Sequence, residues 1–306
     1  MFISQASKGG RLIADQIAPR YCENPHVAAA VVGGSVAKGW ADEFSDLELT
    51  IFWFEAPSDA ERKQAIGQLD CDIWKFDSYD QGQRGEAVEH LGLRSIEIDG
   101  TRHNGTVMVS VQHLTVREVE AHLEDVTDHW DTTVEKQTLV YAIQHWLPLR
   151  GARLLDAWQA RAAQYPDGLA RKMVEENLWM GPWFYPEAYA SRNDRLVLYR
   201  HFCMTTQRLL CVLLGLNRMY HPSHEYKWLE HVAGKIKIAP QDLAGRLKGV
   251  FGGDLLAGGH ELISLIHETL TLVEREMPEI DTRRERGRWQ GWHPYTLLNR
   301  VGATAS

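Results

Sequence analysis

Apolar positions along this chain keep one rhythm at the front and another at the back. Val27–Val32 contains only valine and alanine, which predicts a short buried strand. The stretch Asp46-Leu47-Glu48-Leu49-Thr50-Ile51 alternates polar with apolar. A strand over 47–54 with that period puts Leu47, Leu49 and Ile51 on one face and Asp46 and Glu48 on the other. Two more strands are expected over 95–99 and 106–114, joined through Asn104-Gly105 as a hairpin turn. Helical spacing predicts an amphipathic helix over 10–20, with Leu12, Ile13 and Ile17 on one face. A short helix opens at Ser35, and another runs over 60–69 behind the Ser58-Asp59 cap signal.

From residue 116 the spacing turns helical. Residues 116–126 read as one helix. Leu139, Ile143, Trp146 and Leu147 share a helical face until Pro148 stops it, and Leu154, Leu155, Trp158 and Ala162 form another before Pro166-Asp167-Gly168. Residues 195–214 are strongly apolar and contain no glycine or proline, and Gly215 supplies a C-terminal stop. Leu262, Ile266, Leu270 and Val273 mark a late helix closed by Pro278. No strand of comparable strength is expected past residue 116. The fold class is therefore α+β, with a mixed sheet and flanking helices over residues 1–115 and an α-helical bundle over 116–306. The tail from Asp281 is basic and then aromatic, at Trp289, Trp292 and Tyr295, and is expected to wrap back onto the body.

Charge narrows the partners. The 306 residues carry a formal net charge of −8, which argues against a broad nucleic-acid surface. A local basic groove around Arg283, Arg284, Arg286 and Arg288 stays open. The acidic stretch Glu118, Glu120, Glu124, Asp125, Asp128 and Asp131 reads either as a solvated helix face or as a lure for a cationic substrate. Cys22, Cys71, Cys203 and Cys211 form no C-x-x-C pair and read as reduced thiols of a cytosolic protein. The first residues lack the apolar core of a signal peptide, and no apolar run is long enough to span a bilayer. A cytoplasmic protein with no membrane contact is the expectation. Tryptophans at 146, 158, 179 and 228 read as core anchors, with an aromatic wall for a planar ligand as the alternative.

The candidate chemistry lies where the first two strands meet. Val32-Gly33-Gly34-Ser35 ends a strand in a turn that lets the backbone approach a ligand closely. Asp46 and Glu48 then offer two carboxylates on one strand face, a natural seat for Mg²⁺ and the phosphates it carries. Strand, Gly33-Gly34-Ser35, short helix with its Gly39 turn, Ser45, then Asp46-x-Glu48 resembles the nucleotidyltransferase superfamily that includes polymerase beta and the aminoglycoside adenylyltransferases. The likeness is firm to about residue 115 and looser beyond. It implies that Asp46 and Glu48 ligate two Mg²⁺ ions and that Gly33, Gly34 and Ser35 hold the phosphates of ATP or another nucleoside triphosphate. It further implies a lysine from the helical part on those phosphates, for which Lys227, in Glu225-Tyr226-Lys227-Trp228, is the candidate.

That superfamily usually adds a third carboxylate from a neighbouring strand. Val107-Met108-Val109-Ser110-Val111 offers Ser110 where an acid is expected, while the preceding strand offers Glu97 and Asp99. Arg94-Ser95-Ile96-Glu97 is similar to the strand that carries the base in streptomycin-type adenylyltransferases, which implies Glu97 as general base, taking the proton of the acceptor hydroxyl. The other motifs are weak. His221-Pro222-Ser223-His224 suggests a metal pair but reads better as a turn, and Arg195 with His201 is only reminiscent of a ribonuclease motif in helical toxins. The function expected is transfer of a nucleoside monophosphate, AMP from ATP, to a hydroxyl of a small molecule such as an aminoglycoside, bound between the front and the back of the chain. The alternatives are a protein-modifying, antitoxin-type adenylyltransferase and a nucleotide-binding module with a degenerate site. Sequence leaves the oligomeric state undefined.

Overall fold

A computed structural model describes residues 3–79, 87–98, 100–181, 185–223 and 225–289. The chain divides into two compact units, the first ending at Pro166 and the second beginning at Asp167. In the first unit the order is α1 (Gln5–Cys22), β1 (Val27–Val32), α2 (Gly34–Lys38), β2 (Leu47–Trp53), α3 (Asp59–Ile66), β3 (Cys71–Phe76), β4 (Ala87–Ile98), β5 (Thr101–Thr115), α4 (Val116–Thr127), α5 (Val134–Ile143), β6 (Leu147–Arg150) and α6 (Ala152–Ala162). The strands form one sheet in the order β3-β4-β5-β2-β1-β6. Only the β2–β5 pair is parallel; the others are antiparallel, so the sheet is mixed.

Alternation decides what each sheet face meets. Leu47, Leu49, Ile51 and Trp53 of β2 join Val109 and Val111 of β5 and Leu91 of β4 in a core closed by Ile13 and Ile17 of α1 and Ala65 and Ile66 of α3. Among the described residues of the first unit, the opposite face is covered at one end. There Phe52 packs against Trp146 and Trp158, at ring centroid distances of 5.1 and 5.0 Å, and α4 and α6 lie against the sheet. At the other end Glu48 is exposed and Ser110 and His90 are half-buried, all on that same face. That end of the face is where the candidate site lies.

The strand β6 contradicts the expectation of an all-helical run past 116. It pairs antiparallel with β1 at the edge of the sheet, and Pro148 is tolerated there because an edge strand has one row of unpaired N–H positions. Accordingly α5 ends at Ile143 and Gln159 Nε2 donates to the Ile143 and Trp146 carbonyls, at 3.0 Å each.

Under the core face lies a buried polar network. Arg62 Nε donates to Glu89 Oε1 at 2.8 Å, with both side chains wholly buried. Tyr21 OH donates to Glu89 Oε2 at 2.6 Å. Trp53 Nε1 donates to His113 Nδ1 at 3.0 Å, and His113 Nε2 lies 3.2 Å from Glu89 Oε1. Burial opposes ionisation of Glu89, but His113, Tyr21 and Arg62 together hold its carboxyl below the ordinary range. Burial holds His113 below its ordinary value too. Both groups therefore make folding weaker in acid. The unfolded chain takes up a proton on histidine below about pH 6.5, and on glutamate below about pH 4.3, before the folded chain does. Unfolding free energy measured by urea titration should start to fall as pH drops through about 6.5 and fall further below about 4.3. In His113→Gln the upper of these two losses should be smaller.

The second unit holds α7 (Asp167–Asn177), α8 (Pro186–Ser191), α9 (Arg195–Leu216), α10 (Leu229–Ala233), α11 (Leu243–Gly252), α12 (Leu255–Glu276) and α13 (Arg283–Trp289). Gly215 is not a stop. It lies inside α9, where an added Cβ would meet the Ala170 carbonyl of α7 at 2.9 Å, so its absence lets the two helices approach. Three of the four arginines of α13 are held by carboxylates: Arg283 pairs with Asp281, Arg286 with Glu274 and Arg288 with Glu285, at 2.7 to 2.8 Å. Trp292 and Tyr295 lie outside the described residues. Among the described residues no helix is long and apolar enough to cross a membrane, and the four cysteines are free thiols.

Candidate active site

The site begins with a bend. β1 runs into Gly33, which is extended, and then into Gly34, whose φ is +57°. Side chains rarely adopt that conformation, and glycine does so without penalty. The Gly33 N–H donates to the Glu48 carbonyl at 2.9 Å, which ties the bend to β2. A Cβ on Gly34 would fall on the Glu48 carboxylate. The missing side chain is thus the space that Glu48 occupies. The first N–H groups of α2, at Gly34 and Ser35, have no acceptor within the helix. Both residues are half-buried. On the same short helix Lys38 holds its ammonium over the Trp40 and Tyr141 rings, 5.6 and 5.1 Å from their centroids.

An Asx turn delivers the first acid. Asp42 Oδ1 accepts from the Phe44 N–H at 3.0 Å and from Ser45 Oγ at 2.8 Å, and the Asp42 N–H donates back to Ser45 Oγ at 3.0 Å. The chain leaves that turn at Asp46. Asp46 Oδ2 accepts from Ser110 Oγ at 2.7 Å. Ser110 is in turn the register partner of Glu48 across the parallel β2–β5 pair. Asp46 is thus tied to Ser110 of β5 on one side of β2, while the Glu48 carboxylate on the same sheet face reaches the Gly34 bend that follows β1 on the other. On the far side of Ser110 stands its β4 partner His90, with Nδ1 3.0 Å from Ser110 Oγ.

Beyond His90 the open face is aromatic. Trp74 of edge strand β3 lies over Gly92, where an added Cβ would come within 2.7 Å of its Cε2, and the ring is half exposed. Met108, the β5 partner of Gly92, is exposed beside it. His90 and Trp74 had no motif to announce them. Their only sequence signal is the alternation of β4, which sets His90 two residues from Gly92 on one face.

The remaining expected residues lie elsewhere. Glu97 is exposed, far along β4, opposite Arg102 in the register. It stands seven residues from His90, about 20 Å at the rise of a strand. Its backbone N–H is held by Gln16 Oε1 at 3.3 Å. The structure does not bring Glu97 to the acid pair. Asp99 and His224 lie outside the described residues. Lys227 belongs to the second unit, exposed, with its ammonium 2.9 Å from Glu225. The acidic stretch is tied up locally: Asp125 and Asp131 hold Lys136, Asp128 holds Arg161, and Glu118 closes the cap of α4.

Two carboxylates suit a particular cation. Among the described residues no group of three or more His, Cys, Asp and Glu is arranged to hold a metal, which excludes a complete protein cage there. Magnesium keeps several waters and is bound through one or two carboxylates plus substrate phosphates. Asp46, half exposed, and Glu48, exposed, beside the first turn of α2, match that demand.

Gly34→Ala tests the bend. The new Cβ is strained at positive φ and displaces the Glu48 carboxylate, which is the end of a flexible chain and moves readily. The expected stability loss is only about 1–2 kcal/mol. Divalent-ion affinity, read by titration with Mn²⁺, should fall by about tenfold or more because the ligand has lost its seat.

Residues 130–229 match a family described as a domain of unknown function, DUF4037. No curated protein matches the sequence. Solved structures similar to the chain include Cid1 bound to the UTP analogue UMPNPP, 17% identical over 47% of this chain and 42% of that one, with a TM-score of 0.29. Cid1 poly(U) polymerase with MgGTP bound is 16% identical over 47% and 43%, with a TM-score of 0.30. A nucleotidyltransferase-like protein from Exiguobacterium sibiricum is 11% identical over 88% and 80%, with a TM-score of 0.33. The match spans less than half the length of the Cid1 chain.

Proposed function

We propose that this chain is a magnesium-dependent nucleotidyltransferase that moves a nucleoside monophosphate, AMP from ATP, onto a hydroxyl of a small molecule, with an aminoglycoside-type polyol as the leading acceptor. One observation carries the reading: Asp46, bonded to Ser110, and Glu48, seated in the space that glycine leaves at the Gly34 bend, stand two residues apart at the start of β2 beside that bend. In the reaction the acceptor oxygen bonds to the α-phosphorus and gives its proton to water, the bond from that phosphorus to the bridging oxygen breaks, and pyrophosphate leaves. Magnesium, when bound, neutralises the charge that builds on the phosphoryl and apical oxygens.

The chain's own residues do the rest. Asp46 and Glu48 hold the cation. The N–H groups of Gly34 and Ser35, with the Ser35 hydroxyl, receive phosphate oxygens, and Lys38 adds positive charge on the same helix. Trp74 and Met108 offer an apolar floor for the acceptor or the base. Lys227 stays in the proposal as a phosphate contact from the second unit; a phosphate would have to displace Glu225 from its ammonium. Glu97 stays as a base only in a conformation other than this one.

Pyrophosphate release tests the proposal. The purified chain is given each nucleoside triphosphate with Mg²⁺ and panels of aminoglycosides, other polyols, proteins and RNA, with α-labelled nucleotide to trace the product. Label on a small molecule supports the reading. Label on a polypeptide or RNA replaces the acceptor. The hydroxyl at Ser110, where an acid is expected, favours one second reading, a nucleotide-binding module. Calorimetric ATP binding without turnover on any acceptor would establish it.

A further inference from the structure

We propose that His90 is a positioning residue for Asp46, acting through the hydroxyl of Ser110. The inference rests on the reading that Asp46 holds the divalent cation. Its basis is a row of side chains on one sheet face. Glu48 of β2, Ser110 of β5 and His90 of β4 are successive register partners, so the pleat sends all three to the same side.

Proton counting fixes the direction of the chain of hydrogen bonds. An ionised carboxylate only accepts, so Ser110 gives its single proton to Asp46 Oδ2, at 2.7 Å. What Ser110 then shows His90 is a lone pair, and His90 Nδ1, at 3.0 Å, must be the N–H that donates to it. The network thus assigns the neutral ring its Nδ1–H tautomer, with the bare lone pair on Nε2. A serine hydroxyl alone turns about its Cα–Cβ bond. With a donor on one side and an acceptor on the other it has one orientation. Asp46 Oδ2 is held by that orientation, and Oδ1 is the oxygen presented to a cation. Partners at this remove from a metal orient the ligand and set its basicity.

Asparagine separates this role from any other that the imidazole has. Its amide Nδ2 stands where imidazole Nδ1 donates, and it has nothing where Nε2 lies. The experiment is Mn²⁺ binding to the full chain without nucleotide, followed by the electron paramagnetic resonance of the free ion. The variants are His90→Ala, His90→Asn, Ser110→Ala, His90→Ala with Ser110→Ala, and Asp46→Asn. Thermal unfolding of each variant confirms that it is folded.

His90→Ala and Ser110→Ala are each expected to weaken Mn²⁺ binding by about tenfold, and His90→Asn to recover to within about threefold of the parent. The double variant should be no weaker than Ser110→Ala, since both changes cut one chain. An unchanged affinity in His90→Ala, an asparagine variant as weak as the alanine one, or additive losses in the double variant would each overturn the proposal. Asp46→Asn reports on the underlying reading by itself. If it binds Mn²⁺ like the parent, the cation is not held by Asp46. If it loses the ion while His90→Ala keeps it, only the positioning role of His90 fails.

Discussion

On the proposed function, Asp46→Asn should lower the rate of nucleotidyl transfer by about a thousandfold or more, since a metal-held charge at the phosphoryl group would supply several kcal/mol and each 1.36 kcal/mol is a factor of ten. The same substitution leaves stability within about 0.5 kcal/mol of the parent, because Asp46 is half exposed at the head of β2 and its one bond there, from Ser110, is also available to an amide oxygen. The change keeps the shape and removes the charge. Steady-state turnover and a urea unfolding curve on one preparation check both halves. Full activity in a folded variant would remove Asp46 from the metal assignment. Glu97→Gln is the natural companion. Glu97 lies opposite Arg102 on a part of β4 remote from Ser110. A rate near the parent's places the base elsewhere, and a deep loss of kcat returns the role to Glu97.

The first two strands were legible because each opens on a clear pattern, although β2 departs from strict alternation at buried Thr50 and Phe52. Val27–Val32 is an unbroken apolar run, and it forms β1 with those bounds. The alternation after Asp46 does become β2, with Glu48 out and Leu47 and Leu49 in. The strand β3 and the first half of β4 were not visible, for two different reasons. Most of β3 is exposed at the edge of the sheet, so its residues carry no inside-outside pattern. In β4 the inward position that should be apolar is Glu89, and a charged residue there reads as outward. Arg62 on α3 and His113 on β5 are disguised in the same way, since each is buried only because the others are. The acid pair at the site could be read from spacing, since two residues on one strand always share a face. The Ser110–His90 link could not. It depends on which strands are neighbours, and the order β4-β5-β2 is set by pairing between segments far apart in sequence.

Glu89→Leu costs about 3–5 kcal/mol of unfolding free energy, the range for removing one partner of a buried ion pair. The carboxylate accepts two hydrogen bonds, from Arg62 Nε at 2.8 Å and Tyr21 OH at 2.6 Å, and has His113 Nε2 beside it at 3.2 Å. Its removal leaves the Arg62 guanidinium in the core with the Asp77 carbonyl at 2.7 Å, a carboxylate of Asp59 at 3.6 Å and the face of Phe76 at 4.3 Å. None of these is a buried counter-charge, and the Tyr21 hydroxyl loses its acceptor. Replacing the whole set tells desolvation from attraction. Glu89→Leu with Arg62→Met and Tyr21→Phe should recover most of the loss, because apolar residues of similar volume need no partner. A single substitution costing under about 1 kcal/mol would mean that water reaches Arg62 in solution. The site above should register the same change. Glu89 and His90 are neighbours on opposite faces of β4, so a strand displaced by losing the buried carboxylate would carry His90 with it, away from Ser110. Mn²⁺ affinity in Glu89→Leu, measured well below its melting temperature, should therefore fall with its stability, and the triple variant should restore both.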